Sequence, residues 1–262
     1  MQVASDTIQF DIQGAVAIIR LNRPLVFNSF NREMALCLQE VLDECKDNAA
    51  IRAVLLTGNG KAFCAGQDLQ EVVAEDGPSM YTILAEHYNP VITRIRSIEK
   101  PVIAAVNGVA AGAGANIALA CDITLAAASA SFIQAFSKIG LIPDSGGTFF
   151  LPRLIGLQRA TALMMLADRV SAADAAAMGM IYRSCPDEQL QEEALKIATQ
   201  LSQMPTKGLG LTKKALNESL HNDLAAQLLV EEKLQVQAGQ TTDFAEGVQA
   251  FLEKRAPNFK GE

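Results

Sequence analysis

Short apolar runs alternate with stretches of helical period along most of this chain, and that alternation narrows its fold more than any other feature. Residues 15–21, 51–57, 101–106, 123–126 and 131–132 read as strands. Residues 31–47 read as a helix, because Met34, Leu38, Val41, Leu42 and Cys45 recur at three- and four-residue spacing. The stripe Met80, Leu84, Val91, Ile95, Ile98 predicts another helix over 80–98, kinked or split at Pro90. A short apolar helix is expected over 112–121, with further helices from Gly147 and over 171–178, where Ser171 suits the N-cap. Beyond about residue 200 the period is helical throughout, with Leu224 and Leu228 on one helix and Phe244, Val248, Phe251 and Leu252 on another. The chain therefore divides into an α/β core, 1–200, and a helical region, 201–262. The apolar stripes of that second region need a surface to cover, either its own core or a neighbouring subunit.

Composition removes several classes of function. Half of the 262 residues are hydrophobic and 19% are charged, which excludes a disordered or collagen-like chain. With 22 basic against 29 acidic residues the net charge is −7, so no broad surface for nucleic acid or anionic membrane is expected, and an anionic ligand must be met by local groups. No apolar run approaches the roughly 20 residues of a membrane span. No basic segment followed by an apolar run opens the sequence, so a cytoplasmic location is expected. Cys37, Cys45, Cys64, Cys121 and Cys185 are odd in number and form no Cys-x-x-Cys pair, and His87 and His221 are the only histidines. Neither a disulfide framework nor a metal site is expected; the cysteines read as small buried hydrophobes. His87 lies on the apolar stripe with Leu84 and Val91, which favours a satisfied, partly buried side chain over a catalytic one.

Two glycine-rich segments remain. Gly112-Ala113-Gly114-Ala115 opens a helix after a strand but lacks the third glycine and the distal acid of a dinucleotide site, and Gly58-Asn59-Gly60-Lys61 lacks the spacing of a phosphate loop. Each alone could simply permit a tight turn or close packing. Taken together, Cys64-Ala65-Gly66-Gln67-Asp68-Leu69 and Asn107-Gly108-Val109-Ala110-Ala111-Gly112-Ala113-Gly114-Ala115 resemble the paired signatures of the enoyl-CoA hydratase/isomerase (crotonase) superfamily. The likeness runs from Asn22-Arg23-Pro24 to the closing segment Phe251 to Phe259.

The resemblance implies a spiral of ββα units with a C-terminal helical trimerisation region, an acyl-CoA thioester as substrate rather than any separate cofactor, and a homotrimer or hexamer. It also implies two backbone amides that polarise the thioester oxygen, here Ala65 and Ala113, with the helix beginning near Gly112 adding its positive end. Val26, Gln67, Asp68 and Leu69 would line the CoA path. Lys254 would meet its phosphates and Phe251 would pack on it, although a solvated helix end and core packing account for these two equally well.

Hydratases of the family use two glutamates, at positions that match Asn116 and Phe136 here. Neither side chain exchanges a proton, so a two-carboxylate hydration is not available. One acid remains, in Gly140-Leu141-Ile142-Pro143-Asp144-Ser145-Gly146-Gly147. Asp144 stands where isomerase and dehalogenase branches place a catalytic aspartate; the other reading is a helix N-cap. Apolar neighbours would raise its pKa.

The likeness is greatest to the branch that converts ring-1,2-epoxyphenylacetyl-CoA to oxepin-CoA in phenylacetate degradation, with a second capacity to move a Δ3 double bond to Δ2. An aliphatic Δ3,Δ2-enoyl-CoA or dienoyl-CoA isomerase is the alternative, and a non-catalytic CoA-binding subunit working with a partner hydratase is a third.

Overall fold

The computed structural model describes residues 5–262; the first four, part of the segment read for a leader, lie outside the described residues. β1 (Ile8–Gln13) turns through Gly14 and Ala15 into β2 (Val16–Leu21) as an antiparallel hairpin. The helix Arg32–Asp47 follows, its first turn capped by the Asn31 side chain, which accepts from the Met34 amide at 3.0 Å.

Three units of strand, strand, helix then repeat. β3 (Ala53–Gly58) and β4 (Ala62–Cys64) lead to the helical run ending in Asn89–Ser97. β5 (Val102–Val106) and β6 (Val109–Ala111) lead to the helix Ala113–Ala120. β7 (Ile123–Ala127) and β8 (Ser131–Ile133) lead to Gly147–Ile155 and Leu157–Leu166. β9 (Arg169–Ser171) and β10 (Arg183–Cys185) complete the sheets. The first strand of each unit joins one sheet, in the order β1-β2-β3-β5-β7-β10, and the second joins another, β4-β6-β8-β9. Pairing from β2 through β10 in the first sheet and from β4 through β8 in the second is parallel. This is the ββα spiral that the sequence motifs implied.

The helical run departs from the expectation at Pro90. Residues Met80–Thr82 are α-helical, Ile83–Tyr88 form a π-helical turn, and Pro90 lies in the first turn of Asn89–Ser97, where its missing N–H is harmless. The distortion is thus upstream of the proline: the Asn89 amide donates to the Leu84 carbonyl, five residues back. One extra residue in the turn brings the consecutive pair His87 and Tyr88 inward, and both are buried.

The helix Leu190–Ser202 packs on β3, β5 and β7. Three helices follow, Thr206–Ser219, Leu224–Ala238 and Thr242–Glu253. The first is held to the core by Lys213, whose ammonium is 2.8 Å from the Asp122 carboxylate and donates to the Ile95 carbonyl at 2.7 Å. Asp122 also accepts from Arg96 at 3.0 Å and from the Val102 amide at 2.8 Å. Burial lowers the Lys213 pKa, and the Asp122 charge opposes that shift. Without Lys213, Asp122 keeps Arg96 and the Val102 amide as partners, and the loss is that of the bonds the ammonium makes. Lys213→Ala removes these charge-assisted bonds and is expected to cost about 1.5–3 kcal/mol, read as a drop in the urea midpoint; an unchanged midpoint would contradict the staple. Leu224, Leu228, Phe244, Val248, Phe251 and Leu252 are exposed. No helix among the described residues is long and apolar enough to cross a membrane.

Candidate active site

β4 and β6 pair in parallel, with Cys64 opposite Ala110, so the loops that leave them emerge side by side. Two glycines set how close these loops come. Gly66 has φ +91°, and a Cβ there would lie 3.0 Å from the Ala111 carbonyl oxygen and 3.6 Å from the Ala113 nitrogen. A Cβ on Gly114 would lie 2.3 Å from the Cys64 carbonyl oxygen. The two signature segments of the sequence are thus in direct contact.

The amide assignment on the first loop requires correction. The Ala65 N–H donates to the Phe27 carbonyl at 3.0 Å and is not free to bind a thioester. Further along, Phe30 pairs with this segment as an isolated parallel bridge: its amide donates to the Gly66 carbonyl at 2.7 Å and its carbonyl accepts from the Asp68 amide at 2.8 Å. These two bonds bracket Gln67, whose own N–H faces away from Phe30, because successive amides of an extended strand point to opposite sides. Among the described residues the Gln67 amide meets no acceptor. On the second loop the Ala113 amide opens the helix Ala113–Ala120, whose N-cap Gly112 provides no side-chain cap. It is one of the unpaired first-turn donors of a helix, at the positive end of its dipole. Gln67 and Ala113 therefore supply the two free amides.

Asp144 lies across the same cleft. The adjacent helix Gly147–Ile155 has Gly146 as N-cap without a side-chain bond, so the Asp144 carboxylate does not cap it. The carboxylate instead accepts from the Ser145 hydroxyl at 2.9 Å. Burial raises its pKa, and the Ser145 bond offsets that only in part. Ser145 and Gly146 both occupy the left-handed region, at φ 50° and 74°, a strained turn that needs outside support. Asn116 supplies it: its side-chain amide donates to the Asp144 carbonyl at 2.8 Å, while its oxygen accepts from Gln134 at 2.8 Å. The residue standing at the first hydratase-glutamate position thus holds the loop of the remaining acid.

The cleft encloses about 490 Å³. Its walls are largely apolar, from Leu69, Val72, Val73, Met80, Ile83, Phe136, Ile139 and Leu141, and Lys138 brings its one cationic side chain. Of the residues expected at the site, Ala65, Gln67, Leu69, Gly112, Ala113 and Asp144 line it. Val26, Asp68, Phe251 and Lys254 do not. Asp68 instead pairs with Arg23 at 2.9 Å and caps the short helix Leu69–Val72. Val26 sits in the Pro24–Val26 turn. Phe251 is exposed on the last helix beside Val248, and Lys254 is that helix's left-handed C-cap.

Sequence reasoning missed Gln67 as donor, Lys138, and Tyr88, which lines the cleft with its hydroxyl unpartnered. Burial, reinforced by nearby Cys64 and Asp144, holds the Tyr88 phenol far above its ordinary range, so it is a neutral donor. The Cys64 thiol beneath the loops is pushed up to about 12 by burial and is no nucleophile. His87 is fully rather than partly buried; Arg32 lies 3.3 Å from its Nε2, and its Nδ1 has no partner.

Comparison with known proteins gives the family and the fold. The enoyl-CoA hydratase/isomerase family model matches residues 11–262. A probable enoyl-CoA hydratase of Rhodobacter capsulatus is 47% identical over 97% of this chain and 98% of its own length. The 1,2-epoxyphenylacetyl-CoA isomerase of Escherichia coli is 46% identical over 96% and 97%. The crystal structure of an enoyl-CoA hydratase from Bacillus anthracis, 36% identical, superposes with a TM-score of 0.92 over 98% of this chain and all of the other. Fold, paired glycine loops and whole-length similarity together make this chain a member of the enoyl-CoA hydratase/isomerase (crotonase) superfamily.

Proposed function

We propose that the protein is an acyl-CoA isomerase that converts ring-1,2-epoxyphenylacetyl-CoA to oxepin-CoA and also moves Δ3 double bonds to Δ2. The observation that carries this reading is the presence of one acid in the cleft, Asp144, with Asn116 and Phe136 at the positions where a hydratase needs glutamates. The amides of Gln67 and Ala113 receive the thioester oxygen and stabilise the negative charge that grows on it once a proton leaves the adjoining carbon. Asp144 takes that proton and returns it at the new position, which requires no activated water. Similarity to the Escherichia coli isomerase supports the epoxide substrate.

Lys254 and Phe251 stand outside the cleft of their own chain, and in this reading they meet the CoA of a neighbouring copy. The exposed apolar face of the helical region 201–262 supports assembly as a trimer or a pair of trimers, closed by symmetry.

A three-substrate assay tests the activity. Turnover of epoxyphenylacetyl-CoA and of a 3-enoyl-CoA is expected, with hydration of a 2-enoyl-CoA slower by at least about 10²-fold, the smaller end of what a missing acid–base group costs. Efficient hydration, as the name of the Rhodobacter capsulatus relative suggests, would overturn the isomerase reading. Turnover of the 3-enoyl-CoA alone would favour an aliphatic isomerase, and none at all with binding intact a CoA-binding subunit.

A further inference from the structure

Asn116 is wholly buried and lines no part of the cleft, yet it grips the loop that carries Asp144. The Asp144 carbonyl accepts twice, from the Gly147 amide at 2.8 Å, which closes a four-residue turn, and from the Asn116 side chain at 2.8 Å. Both central residues of that turn, Ser145 and Gly146, have positive φ, which a serine keeps only when its surroundings hold it there. Gly147 makes room for the grip, since a Cβ there would collide with Asn116 Nδ2. The polarity of the chain is fixed from one end. A carbonyl can only accept, so Asn116 turns its NH2 to Asp144 and its oxygen to Gln134, whose own NH2 donates at 2.8 Å. Position 116 therefore needs one donor and one acceptor on the same planar head. The groups this side chain meets, Gly147, the Gln134 amide and the Asp144 carbonyl, are all uncharged.

We propose that Asn116 is a positioning residue for Asp144: its amide, donor on one side and acceptor on the other, fixes the turn that keeps the carboxylate in the cleft, so proton abstraction requires an uncharged donor–acceptor at position 116. This rests on the reading of Asp144 as the acid–base group and adds a condition to it, that an ionised acid at 116 and a working base at 144 exclude each other. Aspartate, of the same shape, is the discriminating replacement. Protonated, it offers one O–H to the Asp144 carbonyl and one oxygen to Gln134, as asparagine does. Ionised, it offers acceptors alone and sets an oxygen against the Asp144 carbonyl. Burial without a cation raises such a carboxyl, up to about 8–9 in the extreme, so the change falls within a measurable range.

The test follows exchange of the α-protons of phenylacetyl-CoA into D2O by NMR. In this exchange the α C–H bond breaks, Asp144 takes the proton, the electron pair passes to the thioester oxygen between the Gln67 and Ala113 amides, and a deuteron returns to the same carbon. Asn116→Ala is expected to slow exchange by about 10²-fold, the effect of a misplacement of about 1 Å, while its affinity for phenylacetyl-CoA by titration calorimetry stays at the wild-type value. Asn116→Asp should keep pace with the wild type at acid pH and fall toward the Asn116→Ala rate as pH rises to about 9, where the wild type keeps its rate, again with affinity kept. A wild-type profile for Asn116→Asp, or an unslowed Asn116→Ala, would overturn the proposal. So would an acid limb displaced upward with no fall at high pH, the mark of a nearby charge alone, or exchange and affinity lost together, the mark of plain support for the fold. Asp144→Asn, measured alongside, separates the two readings. If it exchanges as fast as the wild type, Asp144 is not the base and both fail; if it is slow and the Asn116 variants are not, this proposal alone fails.

Discussion

Asp144→Asn is expected to lower kcat by about 10²–10⁴-fold, the range for loss of a positioned acid–base group, without lowering the melting temperature. The stability half follows from the direction of the pKa shift. Burial raises the carboxyl above its ordinary 3.8, so folding favours its protonated form. Such a group destabilises the fold progressively as pH rises from the unfolded value through the folded one, and at neutral pH it is charged at a cost. Asparagine removes that cost and keeps an acceptor for the Ser145 hydroxyl. Activity follows the opposite sense: the base works only when ionised, so the acid limb of kcat/KM should lie above pH 3.8. A variant retaining more than about a tenth of the activity would remove Asp144 from the chemistry.

Gly114→Ala should be nearly as damaging, although the residue touches no substrate. An alanine inside a helix is ordinarily about 0.5–1 kcal/mol better than glycine. Here the new methyl would stand 2.3 Å from the Cys64 carbonyl oxygen and 2.7 Å from the Cys64 Sγ. Neither the strand end nor the buried thiol can yield, so overpacking of about 1–3 kcal/mol outweighs the helix preference. The helix must move away from β4, carrying the Ala113 amide away from Gln67. Loss of one such donor costs about 10²–10³-fold in rate. A lower urea midpoint together with a collapse of kcat is the expected pair of results. A more stable, fully active variant would show that the two loops need not approach so closely.

How far the sequence could be read depended on the length and continuity of each signal. β2, β3, β5, β7 and the helix Arg32–Asp47 were legible because apolar runs and a capped three-four period are local properties. β1 escaped because Ile8, Phe10 and Ile12 alternate with polar residues at the sheet edge, which a search for continuous apolar runs passes over. β4, β6 and β9 are three-residue strands whose pairing is set by the sheet around them. At the site, Asp144 and the glycine loops were legible by motif. Which amide points into the cleft was not, because it depends on the bridge between Phe30 and Gln67, a contact distant in sequence. A one-residue change in such pairing reverses every donor. Tyr88 was hidden for a similar reason: the stripe Met80, Leu84, Val91 assumes a continuous 3.6-residue period, and the π-helical turn Ile83–Tyr88 shifts which residues face inward.

The central claim is that two main-chain donors and one carboxylate surround the acyl thioester. The most direct measurement is a crystal structure of the Asp144→Asn protein with an acyl-CoA bound. The thioester oxygen is predicted within about 2.7–3.2 Å of both the Gln67 and Ala113 nitrogens, the range of an N–H···O bond, with residue 144 facing the carbons next to the carbonyl. A thioester oxygen bonded elsewhere, or residue 144 turned away from the acyl group, would contradict the account.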